Sequence, residues 1–135
     1  MSGKLYLARI SDFQKLDSSG VKCFAITKSD KFHGYMDVLY GLAPTWDLLK
    51  WHNENKSRNK FTDGYYERYF KQIKESKQAK IDIKTVTDLL DRGTNVALIC
   101  FCVDSKNCHR GILGGWLEKK NYEVIYNIKD LEDIK

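Results

Sequence analysis

The sequence predicts an α/β protein with helices packed on both faces of a mostly parallel sheet. Three observations carry that expectation. Asn95–Val103 is apolar at nearly every position, the pattern of a strand buried on both faces, as in parallel sheets with helical layers above and below. Shorter apolar runs at Lys4–Ile10, Val21–Thr27 and Glu123–Tyr126 read as further strands. The stretches between them carry helical spacing, giving a β-α-β-helices-β-α-β order. Together these describe a three-layer Rossmann-like sandwich.

Each element has its own signal. Leu5, Tyr6, Leu7 and Ala8 make the first strand a buried one. Ser11 is placed to cap a short helix through Leu16, and Asp17-Ser18-Ser19-Gly20 is a turn cluster. Val21–Thr27 is the second strand. From Lys28 to Gly41 there is no clear period, and the segment reads as a surface loop. A helix is expected from Pro44, where the missing N–H costs nothing, to about Asn55, followed by a polar connection to Lys60. Thr62 suits the N-cap of the next helix, in which Tyr65, Tyr66, Tyr69, Phe70 and Ile73 form one apolar stripe. Glu67, Arg68, Lys71, Lys74 and Glu75 cover its opposite face. A third helix is expected over Asp82–Asp91, stopped at Gly93. The last helix, Cys108 to about Lys120, would bury Ile112, Leu113, Trp116 and Leu117 before the final strand.

Composition bounds the rest. The 135 residues suit one domain spanning 1–135, large enough for a core without disulfide or metal staples. An apolar fraction of 42% with a single proline is globular composition. No apolar run reaches the ~20 residues of a membrane span, and the first twenty residues lack a signal-peptide core. The four cysteines are unevenly clustered, unlike a disulfide framework, so a reduced, cytoplasmic protein is expected. A net charge of +5 admits an acidic partner, although dispersed lysines equally serve solubility.

The reactive residues concentrate between Cys100 and Arg110, which hold three of the four cysteines, one of the three histidines and an arginine. Ligands of open parallel sheets bind outside the carboxyl ends of the strands. Three strand ends therefore matter: Arg9 with Ser11, Lys28 with Lys31 and His33, and Cys100 through Arg110. Cys100 and Cys102, two apart on a strand, point the same way. Cys108, His109 and Arg110 would occupy the first helical turn, whose unpaired N–H groups and dipole favour an anion. Arg110 is suited to a bidentate grip on phosphate or carboxylate. The same field lowers a thiol pKa, which makes Cys108 the nucleophile candidate and His109 an acid or base candidate.

Three readings of the cluster stand beside one another. Cys100 and Cys102 can be small core hydrophobes, since free cysteine is often buried. Cys100, Cys102, Cys108 and His109 have the residue types of a zinc site, but their spacing lacks the usual C-x2-C turn. The third reading is an anion-binding or thiol-dependent site. A thiol phosphatase loop would need arginine where counting on from Cys102 reaches Cys108, so that mechanism is not supported.

Gly111, Gly114 and Gly115 in the last helix serve either close packing on the sheet or room for a ligand. Trp46, Trp51, Tyr65, Tyr66 and Tyr69, with Lys50, Lys56, Arg58 and Lys60 nearby, could stack bases while the cations meet phosphates. The helical stripe assigns most of those tyrosines to the core instead. His33 and His52 are isolated and take no metal role.

Taken together, these residues resemble the bacterial and phage proteins called domain of unknown function 488. The most specific mark is a cysteine-bearing strand, Leu98-Ile99-Cys100-Phe101-Cys102, followed by Cys108-His109-Arg110 opening a helix. A second is Leu42-Ala43-Pro44-Thr45, and a third the aromatic helix from Tyr65 to Ile73. The resemblance implies a Rossmann-like fold and no established activity. The family usually carries glutamate where this chain has Cys102, which implies either lost activity or an exchange of carboxylate for thiolate chemistry. Relatives also often carry a proline in the loop corresponding to Lys28–His33, and none is present here.

The expected function is binding of a phosphate-bearing ligand, a nucleotide or a nucleic-acid end. Arg110, Lys28, Arg9, Ser11, Cys100 and Cys102 would form the binding set, and Cys108 and His109 would supply any thiol-dependent chemistry. The alternative is a non-catalytic interaction protein that sequesters a signalling nucleotide or inhibits another protein. The sequence names no cofactor, no metal ligand and no oligomeric state.

Overall fold

The computed structural model describes residues 2–26, 36–43, 48, 65–100 and 109–126, with backbone alone at 65, 66, 100 and 109–112. Five strands form one sheet: β1 (Lys4–Arg9), β2 (Lys22–Ala25), β3 (Asp37–Val38), β4 (Val96–Cys100) and β5 (Glu123–Ile125). Their order is β3-β2-β4-β1-β5, and every pairing is parallel. The central strand is β4, with Lys22↔Val96 through Ala25↔Ile99 on one side and Leu5↔Val96 through Arg9↔Cys100 on the other. This is why Val96, Ala97, Leu98 and Ile99 are apolar without alternation: all four are buried. The α/β sandwich predicted from the sequence is therefore the observed architecture.

Strand periodicity divides the core between two faces. Leu5, Leu7, Phe24, Val96 and Leu98 point to one face and meet Tyr69, Val86, Leu90, Leu113 and Leu117. Those residues come from α2 (Tyr65–Glu75), α3 (Lys77–Asp91) and α4 (His109–Glu118). Tyr6, Ala8, Cys23, Ala97 and Ile99 point to the other face, where α1 (Phe13–Ser18) contributes Leu16. The connection from β1 through α1 to β2 passes β4 in one direction. The connection from β4 through α4 to β5 passes β1 in the other. Right-handed crossovers running in opposite directions put their helices on opposite faces, as observed.

The helix ends are written in the sequence at single residues. After α1, Gly20 takes φ +82°, while the N–H of Val21 donates to the Leu16 carbonyl and that of Gly20 to Asp17. After α3, Gly93 takes φ +88°, and Thr94 and Gly93 donate to Leu89 and Leu90 in the same pattern. Both are Schellman stops, each satisfying two orphan carbonyls just before a strand begins. α4 ends the same way at Asn121, φ +73°, with Tyr122 donating to Leu117 and Asn121 to Glu118. Asparagine tolerates this left-handed conformation better than other side chains.

Some boundaries differ from expectation. The loop expected over Lys28–Gly41 contains, in its described part, the edge strand β3 and a 3-10 turn at Tyr40–Leu42. A two-residue strand shows no alternation to detect. α3 begins at Lys77, five residues before the expected Asp82, because Ser76 has extended backbone and its Oγ accepts from the Ala79 N–H at 3.1 Å. The polar stretch Lys77–Lys80 hides that start from a reading based on apolar period. Of the helix expected from Pro44 to Asn55, only Leu48 is described; it is helical and buried. Phe101–Val103 and Cys108 lie outside the described residues.

Candidate functional site

An all-parallel sheet gathers the carboxyl ends of its strands along one edge. The helices that follow the neighbouring strands β1 and β4, α1 and α4, lie on opposite faces, the switch point at which open parallel sheets as a class bind ligands. The β1–β4 ladder ends at Arg9↔Cys100, so these two candidate residues stand side by side at that switch point. The N–H of Ile26 donates to the Ile99 carbonyl at 3.0 Å, so β2 also ends beside the end of β4. α4 opens at His109, with Arg110 in its first turn. Because α4 returns antiparallel to the strands it joins, its N-terminal end, with the free N–H groups of a first turn, faces the same edge.

The backbone thus brings Arg9, Cys100, His109 and Arg110 to one edge of the fold, with Ser11 in the turn that follows β1. Arg9 and Ser11 are both exposed there. Lys28, Cys102 and Cys108 lie outside the described residues. Among the described residues no group of three His, Cys, Asp or Glu side chains is arranged to hold a metal ion.

One acid at this edge was not anticipated. Ser11 was expected to cap the first helix, but the turn is tied by Asp12 instead. Asp12 is only 5% exposed; its Oδ2 accepts the Arg9 N–H at 3.2 Å, and its Oδ1 lies 3.6 Å from Lys15 Nζ. A buried carboxylate needs such partners, and these hold the backbone of Arg9 at the strand end. The signal in the sequence is an aspartate between an apolar strand and a helix.

The segment after β3 is held from the helical layer. The Tyr69 hydroxyl donates to the Leu42 carbonyl, and Gln72 Nε2 donates to the Ala43 carbonyl at 2.9 Å. Asp82, 4% exposed, accepts the Gly41 N–H on Oδ2 at 2.8 Å and Gln78 Nε2 on Oδ1 at 2.9 Å. Gly41 is required by this approach: a Cβ would lie 2.5 Å from the Ala79 nitrogen and 2.6 Å from the Gln78 carbonyl carbon. Two helices therefore hold the Gly41-Leu42-Ala43 segment in place. Tyr69 is fully buried and takes no part in base stacking; Trp46, Trp51 and the cations Lys50, Lys56, Arg58 and Lys60 lie outside the described residues.

Two further residues have structural roles. Cys23 is buried, and burial, reinforced by the negative charge of Asp17, pushes its thiol up to about 11. It is a core residue rather than a nucleophile. Gly114 packs on the sheet, since a Cβ there would meet Leu7 Cδ1 at 2.6 Å and Val124 Cγ1 at 3.2 Å. Close packing explains this glycine.

A family model described as the active DUF488-N3 subclade matches residues 20–121. The chain belongs to the DUF488 family. No curated protein and no solved structure matches it significantly. The DUF488 match runs from the stop of α1 to the stop of α4, and so takes in the Leu42-Ala43 segment, β4 and the start of α4. β1, which ends at Arg9, and the Asp12 that follows it precede the matched span. In this DUF488 chain, no helix among the described residues is long and apolar enough to cross a membrane.

Proposed function

We propose that this DUF488 protein binds a phosphate-bearing ligand, a nucleotide or a nucleic-acid end, at the carboxyl edge of its sheet. The observation that carries the reading is the convergence at that edge of the Arg9↔Cys100 register pair and the Arg110-bearing first turn of α4. Arg110 and the free N–H groups of that turn grip the anion, with Lys28, Arg9 and Ser11 adding charge and hydrogen bonds from the flanking strand ends. Cys100 and Cys102 complete the proposed binding set.

Cys108 precedes the first residue of α4, a position where the helix dipole favours thiolate, and His109 is its neighbour for proton transfer. In this reading Cys108 is the nucleophile. The reduced thiols this chemistry needs fit a cytoplasmic protein, and one folding unit over 1–135 suffices for the site.

The test pairs two variants. A thermal-shift screen over ATP, AMP, inorganic phosphate and a 5′-phosphorylated oligonucleotide identifies the ligand. At one hundred times Kd, binding adds about 2.7 kcal/mol, or roughly 8 °C in Tm for a domain of this size. Cys108→Ser should abolish turnover and keep the shift, whereas Arg110→Ala should lose the shift. Equal shifts for the parent and both variants would remove the site from this edge.

A further inference from the structure

The helical layer contains a cavity of about 340 Å³ between α2, α3 and α4. None of its lining residues belongs to the set at the carboxyl edge. Its walls are the apolar parts of Tyr69, Phe70, Ile73, Ile83, Leu113 and Trp116, and its polar rim is Lys74 and Lys80. No carboxylate lines it among the described residues. A second, shallower hollow shares Lys80, Ile83 and Trp116 with it and adds Lys84 and Lys120. The Lys74 ammonium lies 4.7 Å from the Phe70 ring centroid and that of Lys120 lies 4.4 Å from the Trp116 ring, so both cations are drawn over the apolar walls. Lys80 is exposed and forms no ion pair among the described residues.

We infer that this cavity is a binding site for a free medium-chain fatty acid, with the alkyl chain among the aromatic and aliphatic walls and the carboxylate at Lys80 and Lys74. The size falls in the range of small-molecule pockets, which are mostly apolar with a few fixed polar groups. At about 30 Å³ for each water-sized group, the volume suits a chain of roughly ten carbons. The Tyr69 hydroxyl is committed to the Leu42 carbonyl, so the lysines carry the polar recognition. The charge of the lysines selects an anionic head.

The experiment is calorimetric titration of the full chain with sodium decanoate, sodium hexanoate and decyltrimethylammonium, all below their micellar concentrations. Decanoate should bind saturably at one site. Shortening the chain by four methylenes should weaken binding at least tenfold, given the contribution of each buried methylene, and the cationic amphiphile should not saturate. Lys74→Met with Lys80→Met should weaken decanoate about fivefold, the scale of a solvent-exposed ion pair, and leave Tm unchanged because both side chains are exposed. Ile83→Trp should fill the cavity and abolish decanoate binding. Absent saturation, equal uptake of anion and cation, or decanoate binding unaffected by the lysine pair overturns the inference. Because no lining residue is shared, the nucleotide and phosphate shifts at the carboxyl edge are read separately from these.

Discussion

Asp82 is the test of how the helical layer holds the segment that precedes Pro44. Its carboxylate accepts the Gly41 N–H at 2.8 Å and Gln78 Nε2 at 2.9 Å while itself 4% exposed. Asp82→Ala leaves the half-buried Gly41 donor without its acceptor, a loss of about 1–3 kcal/mol. Gln78 is exposed and turns to water at little cost. The expected destabilisation is therefore about 2 kcal/mol. With a urea m-value of roughly 2 kcal/mol/M, that lowers the unfolding midpoint by about 1 M. Asp82→Asn keeps an acceptor for Gly41 and should lose less than half as much. Gly41→Ala attacks the same tie from the other side, since its Cβ meets backbone atoms of α3 that cannot swing aside. The double variant should then fall short of the sum of the single effects, as contacts sharing one tie do. Hydrogen exchange adds a local readout: the amides of Gly41 and Leu42 should exchange faster in Asp82→Ala while β4 stays protected. A midpoint within about 0.2 M of the parent for Asp82→Ala would refute the reasoning.

Two other perturbations probe the core. Gly114→Ala should destabilise by about 1 kcal/mol in urea melts, because overpacking against Leu7 and Val124 outweighs the helix-propensity gain from replacing glycine; a more stable variant would show that there is room beside the helix. Cys23, with its thiol pushed up to about 11, contributes stability that is complete below the ordinary thiol pKa and is lost as pH rises toward that value. The stability of the parent relative to Cys23→Ala should therefore fall between pH 9 and 11, and Cys23 should resist iodoacetamide at pH 8 until the chain is unfolded. Labelling of native Cys23 at the rate of a free thiol would contradict its burial.

The architecture was legible because its strongest signals are physical necessities. A strand apolar on both faces, Val96–Cys100, has to lie inside a covered sheet, and Gly20 and Gly93 mark helix stops that only a left-handed residue satisfies. The last helix stops close to the expected Lys120, at Asn121, where asparagine carries the same signal more weakly than glycine. β3 escaped because a two-residue edge strand has too little length for a period. The pairing of Arg9 with Cys100 depends on strand order and register, which the sequence does not show. That the ends of β1 and β4 share one edge followed from the general rule for parallel sheets. The roles of Asp12, Gln72 and Asp82 did not, since each depends on a partner distant in the fold or on burial of a residue type that is normally exposed. Tyr69 was correctly assigned to the core by its helical stripe, but its hydroxyl bond to Leu42 spans 27 positions of sequence and has no local signature.

The central claim is that the carboxyl edge of this sheet holds a phosphate-bearing ligand through Arg110. Calorimetric titration of the best ligand from the thermal-shift panel into the parent and Arg110→Ala tests it most directly. Loss of a charge-assisted, bidentate contact should weaken binding at least tenfold, about 1.5–3 kcal/mol, with an unchanged Tm for the unliganded protein. Equal affinity for parent and variant would contradict the account.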